Sequence, residues 1–380
     1  MTVHYDAIVI GARCAGAATA MLLARRGLRV LAVDRAAYGA DTLSTHALMR
    51  GGVVQLSRWG LLDRVRASGA PAIRTTTFRY GPDEATLDIE PRPHAEALYA
   101  PRRTVLDPIL ADEARDAGAH VWFGTRLTAL ELDRSGRVRG ARLLREGVER
   151  RVRADLVIGA DGIKSTVARL AGAPTLVAGR HRTATVFGYV EGLDLPGYYW
   201  LYGPRASSGF IPTNGGHCVF VAMPPERQRE GDAEHLFASL LRETAPAAVA
   251  ERALAAPRAG VLRRFAGRLG HLRRPYGPGW ALVGDAGYFR DPITAHGITD
   301  ALRDAELLAR AVASSRTGAL ASYHEERDAL GRELFAITER IASFDWSLDE
   351  LAALHLDLSG AMRPENRRLL QLDSARHRAA

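Results

Sequence analysis

The sequence predicts an α/β fold, in which a parallel sheet covered on both faces is interrupted by a mostly antiparallel sheet and followed by C-terminal helices. Three observations predict it. Short, continuous apolar runs at Asp6 to Ile10, Asp155 to Gly159 and Trp280 to Gly284 suit central strands buried on both faces. Near the N-terminus, a strand pattern, a helix pattern and a second strand pattern follow one another within about thirty residues, the length of a βαβ unit. Between Thr183 and Ala222 the runs become short, aromatic or β-branched, and are separated by Gly and Pro.

Composition narrows the class. The chain has 380 residues, of which 47% are hydrophobic and 25% charged, an ordinary globular balance that excludes disordered and collagen-like classes. The net charge is +8, but the basic residues are nearly all Arg, spread through every segment, with Lys164 the only lysine. No basic stripe is interleaved with aromatics, so the charge does not indicate nucleic acid. Cys14 and Cys218 make neither a metal site by themselves nor a disulfide framework. No run approaches the roughly 18 apolar residues of a membrane span. No signal-peptide pattern opens the sequence, and a cytoplasmic protein is the expectation.

The elements follow in order. Asp6 to Ile10 is a strand stopped by Gly11. Ala12 to Arg26 is a helix with Gly27 at its C-cap, and Leu28 to Val33 is a strand ending at Asp34. Arg74 to Tyr80 and Ala85 to Ile89 are early strands of the antiparallel layer. Leu106 to Ala117 is a helix closed by Gly118, and strands follow at Val121 to Phe123, Leu127 to Leu132, Val138 to Leu144 and Asp155 to Gly159. Thr183 to Val190, Tyr198 to Tyr202, Ser208 to Ile211 and Cys218 to Ala222 complete the antiparallel layer. Helical pattern returns at Ala233 to Leu241 and dominates from Asp300 to Ala342.

Gly11, Arg13 and Gly16 take the three positions of a G-x-G-x-x-G turn in Gly-Ala-Arg-Cys-Ala-Gly, directly after the first strand. The first glycine permits the tight turn, and the third lets helix and strand pack closely. Backbone amides here, those of Ala12 and Arg13 among them, open a helix N-terminus whose dipole favours a pyrophosphate. Arg13 departs from the pattern, and needs an allowed backbone angle and an outward side chain. Asp34, followed by Arg35, ends the second strand, where a carboxylate accepts hydrogen bonds from ribose hydroxyls. The segment points to a dinucleotide without choosing which; the alternative is an ordinary βαβ turn with Asp34 a solvated strand end. Cys14 reads as a small packing residue.

Two later segments make the choice. Gly-Ala-Asp-Gly-Ile-Lys-Ser-Thr-Val (Gly159 to Val167) and Gly-Asp-Ala-Gly-Tyr-Phe-Arg-Asp-Pro-Ile-Thr-Ala-His-Gly-Ile-Thr (Gly284 to Thr299) each follow a buried strand. With them the chain resembles the class A flavoprotein monooxygenases, the superfamily of para-hydroxybenzoate hydroxylase, and the related geranylgeranyl reductases and flavin halogenases. The resemblance spans roughly residues 1 to 310, with the motifs in family order. It implies non-covalent FAD in a discontinuous Rossmann-like domain (1–72, 98–173 and 276–310). A mostly antiparallel substrate-binding sheet (73–97 and 174–275) is inserted into it, and a helical segment (311–380) follows. Asp285, after Gly284, would accept hydrogen bonds from ribitol hydroxyls. Gly297 would let the backbone approach a flat ring, and the helix starting there, with Ile298 in its first turn, would favour the reduced anionic flavin. By resemblance Asp161 serves both FAD and the nicotinamide donor, with Gly162 allowing the turn. Ser165 suits the N-cap of the next helix, and Lys164 faces solvent. Arg103 resembles the family's Arg preceding its helix, and Arg50 the hydroxylases' Arg that contacts the FAD pyrophosphate; a surface role is the alternative for each. Leu127, by its place in its strand, would cover the adenine through its backbone.

No second G-x-G-x-x-G follows, so the donor, NADH or NADPH, is expected to bind transiently. The resemblance implies a monooxygenase that oxygenates a small, aromatic or polyketide-like substrate with O2 through a flavin C4a-hydroperoxide. The alternative is a reductase of the geranylgeranyl reductase type that acts without O2. Halogenases need a W-x-W-x-I-P segment and a lysine near the oxidant; this chain keeps only Gly209-Phe210-Ile211-Pro212, and Lys164 lies elsewhere. Aromatic residues of the inserted sheet would roof the pocket. Tyr202, Phe210 and Pro292 are candidate substrate contacts, with core packing as the alternative reading. His296, before Gly297, and His46, before Arg50, are candidates for handling a proton; a hydrogen-bonded structural role is the alternative for both. No nucleophile elbow supports hydrolysis, and no metal site is expected. A small substrate and O2 are the expected partners, with a monomer or homodimer equally open.

Overall fold

A computed structural model describes residues 4–314 and 316–374; residue 315 and the ends of the first and last expected segments, 1–3 and 375–380, lie outside it. The continuous apolar runs do form a central sheet. Its order is β16 (Tyr276–Gly277), β17 (Trp280–Leu282), β8 (Val148–Gly159), β1 (His4–Ile10), β2 (Val30–Val33) and β5 (His120–Trp122). The pairs β17–β8, β8–β1, β1–β2 and β2–β5 are parallel. The first half of β8 continues beyond the sheet and pairs antiparallel with β7 (Val138–Arg145), which pairs with β6 (Thr125–Leu132).

Strand alternation explains why these runs are apolar throughout. Ala7, Val9, Ala32 and Ile158 face the large core that contains helix α1 (Cys14–Ala24) and α8 (Gly297–Val312). Ile8, Ile10, Leu31 and Val157 face the opposite core, closed by β6, β7 and the short α5 (Thr166–Leu170). The second face is therefore covered largely by a β-meander. Helix α4 (Arg103–Asp116) begins three residues before the expected start and packs beside α1.

The second sheet has the order β14 (Arg263–Phe265), β10 (Ala184–Val190), β13 (Gly216–Met223), β12 (Ala206–Thr213), β11 (Tyr198–Gly203), β3 (Thr75–Tyr80) and β4 (Asp83–Asp88). All pairs are antiparallel except β11–β3. Its front face, with Phe187, Tyr189, Trp200, Tyr202 and Phe220, joins the large core. Its back face, with Val186, Leu201, Phe210 and Val221, is covered by α6 (Ala233–Thr244) and α7 (Ala247–Ala255). Phe210 thus lies on the helix-covered face, which corrects its expected place in the pocket roof. It pairs across the strands with Tyr199, and both project backward. Tyr202 is on the front face, but its ring stacks on Tyr80 and its hydroxyl bonds His355 Nε2 at 3.1 Å.

A small third sheet is formed by β9 (Thr175–Ala178), β15 (His271–Arg273) and β18 (Tyr288–Phe289). Beyond α8 the chain forms α9 (Ala319–Ala342), α10 (Leu348–Ala361) and α11 (Arg363–Ser374). Two early helices, α2 (Arg50–Arg58) and α3 (Leu62–Ala67), are also present without a strong sequence signal. In α2 the reason is the pair Gly51-Gly52, which weakens helix propensity. A Cβ on Gly52 would lie 2.9 Å from Thr299 Oγ1, so the glycines let α2 approach α8 closely.

The tightest packing is at the first turn. A Cβ at Gly16 would lie 1.7 Å from the Gly11 carbonyl oxygen, and one at Gly11 would lie 2.3 Å from the Ala160 oxygen. All these neighbours are backbone and have no flexible end to move. Gly16→Ala is expected to destabilise the fold by about 3 kcal/mol, read as a lower melting temperature by circular dichroism; an unchanged melting temperature would contradict this packing.

Candidate active site

The carboxyl ends of β1, β8 and β17 meet at one edge of the parallel sheet, where open α/β sheets place their ligands. Each strand runs into a turn with little or no side chain: Gly11 after β1, Ala160 after β8, Gly284 after β17. Gly11 and Gly284 adopt positive φ of 104° and 58°. Arg13 is the N-cap of α1 with extended backbone, φ −93°, which any residue adopts, so the turn tolerates an arginine in the middle position. Its guanidinium lies 3.4 Å from the Asp107 carboxylate and 3.4 Å from the Asp41 carbonyl oxygen.

A cavity beside this turn is lined by Ala12, Arg13, Asp34, Asp107, Pro108 and Phe123. Asp34 is buried, and its two oxygens accept from the amides of Ala12 (2.9 Å) and Ala36 (2.8 Å). The strand-end carboxylate therefore braces the turn as well as facing the cavity. Arg35 is exposed. Arg103 forks onto Asp107 with 2.9 and 3.0 Å bonds, and Cys14 Sγ donates to the same carboxylate at 3.1 Å. Burial pushes the Cys14 thiol well up, in keeping with a packing residue. Arg50 points elsewhere, donating to the carbonyls of Glu90 (2.9 Å) and Ala95 (3.1 Å). Leu127 is half-buried opposite Leu143 in the β6–β7 hairpin.

After β8, Asp161 accepts from Ser165 Oγ (2.5 Å) and from the amides of Thr166 (2.6 Å) and Val167 (3.2 Å). Ser165 in turn caps α5 by accepting from the Ala168 amide, and Lys164 is exposed. Burial raises the Asp161 carboxyl while these hydrogen bonds oppose it.

Asp285 differs from Asp161. Among the described residues no group donates to its carboxylate, although the residue is half-buried. Burial pushes its pKa up to about 7, Asp300 and Asp304 add to the shift, and Arg103 opposes it. A Cβ on Gly297 would meet only the Asp285 oxygen, at 4.0 Å, so the space in front of Gly297 is open. Gly297 itself is exposed, whereas Ile298 is buried and Pro292 half-buried. No side chain caps the N-terminus of α8, which leaves its first amides free to meet an anionic or carbonyl oxygen. The preceding turn is fixed by Asp291, which accepts from Ile293 N (3.0 Å) and from the amide and hydroxyl of Thr183 on the second sheet (2.7 and 2.6 Å).

The two candidate histidines are both buried. His296 Nε2 lies 2.9 Å from Glu365 on α11, within a cluster in which Arg303 bonds Asp300, Asp304 and Glu365. Although burial opposes it, His296 and Arg303 hold the Glu365 carboxyl down to about 2. His296, Asp300 and Glu365 come within 4.8 Å of one another, but Arg290 and Arg303 already neutralise the carboxylates, so the trio does not serve as a metal cage. His46 has a positive φ of 67°. Its Nδ1 accepts from the Arg103 amide at 3.2 Å, so Nε2–H donates to Tyr189 Oη at 2.6 Å. Burial, with Arg102, Arg103 and Arg263, pushes its pKa well down and keeps the ring neutral. Tyr189 and Glu365 are the partners that sequence reasoning missed. Both lie far along the chain from their histidines, and no local pattern marks them.

Comparison with known proteins agrees with this geometry. The family described as "FAD binding domain" matches residues 4–338. Digeranylgeranylglycerophospholipid reductase of Methanothrix thermoacetophila is 30% identical over 87% of this chain and 84% of that protein. Menaquinone reductase of Mycolicibacterium smegmatis is 30% identical over 88% of this chain and 82% of its own. Among solved structures, a variant of the flavin-dependent brominase Bmp2 superposes with a TM-score of 0.81 at 20% identity, over 99% of this chain and 100% of that one. PqsL of Pseudomonas aeruginosa, named a probable FAD-dependent monooxygenase, gives 0.77 at 22% identity, over 93% and 100%. These two structures share the fold.

Asp285 and Asp291, each raised by burial to about 7, set a pH dependence. Their folded pKa values exceed the ordinary 3.8, so the unfolded chain loses these protons first as pH rises. Their contribution is fully present below pH 3.8 and falls away as pH rises to about 7. In the flavin-free protein, Asp285→Asn is expected to flatten this decline, measured by urea unfolding across that window; an unchanged slope would refute the assignment.

Proposed function

We propose that this chain, which belongs to the FAD-binding domain family and is an FAD-dependent oxidoreductase, reduces a carbon–carbon double bond in an isoprenoid chain, with NADH or NADPH as the electron source. One observation carries the reading. Sequence likeness runs across most of the chain to two reductases whose named substrates, a digeranylgeranyl glycerophospholipid and a menaquinone, share little except an isoprenoid chain. The aromatic and aliphatic front face of the second sheet suits such a chain.

The residues present fit FAD. Gly11, Ala12, Arg13 and Gly16 would take the diphosphate, while Asp34, Arg35 and Leu127 would lie along the adenosine. Arg103 and Asp161 would line the middle of the groove, and Gly284 and Asp285 the ribitol, while Arg50, held by the Glu90 and Ala95 carbonyls, does not reach the expected pyrophosphate contact. The donor-free carboxylate of Asp285, the open space at Gly297 and the uncapped first turn with Ile298 support the placement of the ring. When bound and reduced, FAD supplies a hydride equivalent to one alkene carbon.

The other carbon needs a proton, and the chain offers one at the junction of the two sheets. Neutral His46 gives its Nε2–H to the Tyr189 oxygen, leaving the phenolic hydrogen free to turn toward a substrate. Burial raises the Tyr189 phenol, which keeps it protonated as a donor. Tyr189 would pass its proton on, with His46 positioning the ring. The low-dielectric surroundings exclude competing water.

Oxygenation of a small aromatic substrate is the second reading, favoured by the flavin motifs and the aromatic front face. The two readings part on oxygen. With NADPH and a prenylated quinone or lipid, anaerobic incubation is expected to yield product that has gained two hydrogens; a strict O2 requirement with gain of an oxygen atom would overturn the reductase. Tyr189→Phe is expected to lower kcat about a hundredfold with flavin content unchanged, and an unaffected kcat would remove Tyr189 from the proton path.

A further inference from the structure

We propose that Arg102 and Arg263 form a docking site for a phosphate or diphosphate group where the two sheets meet, separate from the turn at Gly11 and Gly16. Arg102 is the N-cap of α4, and Arg263 lies on β14, the edge strand of the second sheet. The two converge on one carboxylate, Asp41, whose oxygen is 3.7 Å from the Arg102 guanidinium and 3.1 Å from that of Arg263.

Arg102 is the informative residue. Its guanidinium carbon sits 3.3 Å from the centre of the Tyr189 ring, face to face. Stacking fixes the plane of the guanidinium, whose five N–H donors lie along its edge. None of them makes a hydrogen bond to a described residue, and the enclosed Nε has no partner at all. Two other interior arginines behave differently: Arg103 makes two bonds to Asp107, and Arg303 is bonded to Asp300, Asp304 and Glu365. A pre-oriented guanidinium with unused donors fits a ligand oxygen better than it fits the core.

Charge gives the class of ligand. Arg102 and Arg263 share a single carboxylate, Asp41, which leaves one positive charge unmatched apart from the arginines assigned to FAD. A phosphate or diphosphate supplies the negative charge and the several acceptor oxygens that planar guanidiniums bind. Asp41 then acts as an internal competitor that holds the pair in place until the ligand arrives. Either the nicotinamide donor or an anionic prenyl substrate carries such a group. The site does not depend on which reaction the flavin performs.

Titration calorimetry of the FAD-loaded protein with inorganic pyrophosphate tests the site without turnover. Arg263→Met, at a half-exposed strand edge, is expected to weaken binding about tenfold with the flavin spectrum retained. Asp41→Asn is expected to tighten binding, because the competing carboxylate is gone; a merely structural cluster would not give opposite signs. ADP-ribose and a prenyl diphosphate distinguish the sources, since the true ligand's affinity falls in Arg263→Met and the other's does not. The proposal is overturned if pyrophosphate binds only the flavin-free protein, if Asp41→Asn weakens binding, or if neither carrier responds to Arg263→Met.

Discussion

Three strand ends of the parallel sheet converge on backbone alone, and the rest of the site depends on that approach. Gly16 rests on the Gly11 carbonyl, and Gly11 on the carbonyl of Ala160. Gly284 closes the same group against Ala15, where an added Cβ would lie 3.0 Å from the Ala15 Cβ. With no side chains between them, the N-terminus of α1, the Asp161 turn and the Asp285 turn stand side by side. A groove is produced whose walls are amides and carboxylates. Larger residues at these points would separate the segments and dissolve the groove even if every strand still formed.

A second constraint comes from charge buried below α8. Arg303 and Arg327 are fully enclosed, and Arg303 holds Asp300, Asp304 and Glu365 from a single guanidinium. Burying so many ions is expensive, and breaking one partner typically destabilises a protein by about 3–5 kcal/mol. What the cluster provides is geometry. Arg290 ties Asp300 to the loop before α8, and Glu365 brings α11 to His296, so the start of α8 is held from both sides. The helix end facing the open space at Gly297 is thereby rigid, which suits a site where an extended ring must lie against backbone.

The two sheets are joined by a few polar bonds across the groove. Asp291 accepts from Thr183, Tyr198 donates to the Tyr99 carbonyl, and His46 bonds Tyr189. These bonds place the second sheet's front face over the strand ends. The proposed chemistry follows from this meeting of parts: an apolar aromatic wall on one side, a polar groove on the other, and a neutral histidine–tyrosine pair between them.

The sequence by itself determined the parallel sheet, the three glycine turns and most strands of the second sheet. It also marked Asp34, Asp285 and Gly297. Those signals are local, since periodicity, a glycine at a turn and a strand-end carboxylate are each set within a few residues. It did not show helices α2 and α7, where glycines, alanines or weak patterning left little local preference, and it gave α10 and α11 only as an undivided helical segment over 311–380. It placed Phe210 on the wrong face because both faces of the second sheet are buried. Alternation then defines two sets of side chains without saying which one meets the groove. Only the tertiary structure decided that Tyr189 partners His46, that Glu365 partners His296, and that Arg102 stacks with its donors unused. Such pairs join residues from about seventy to over a hundred and forty positions apart. They are fixed by how sheets and helices pack, a property that no short stretch of chain carries.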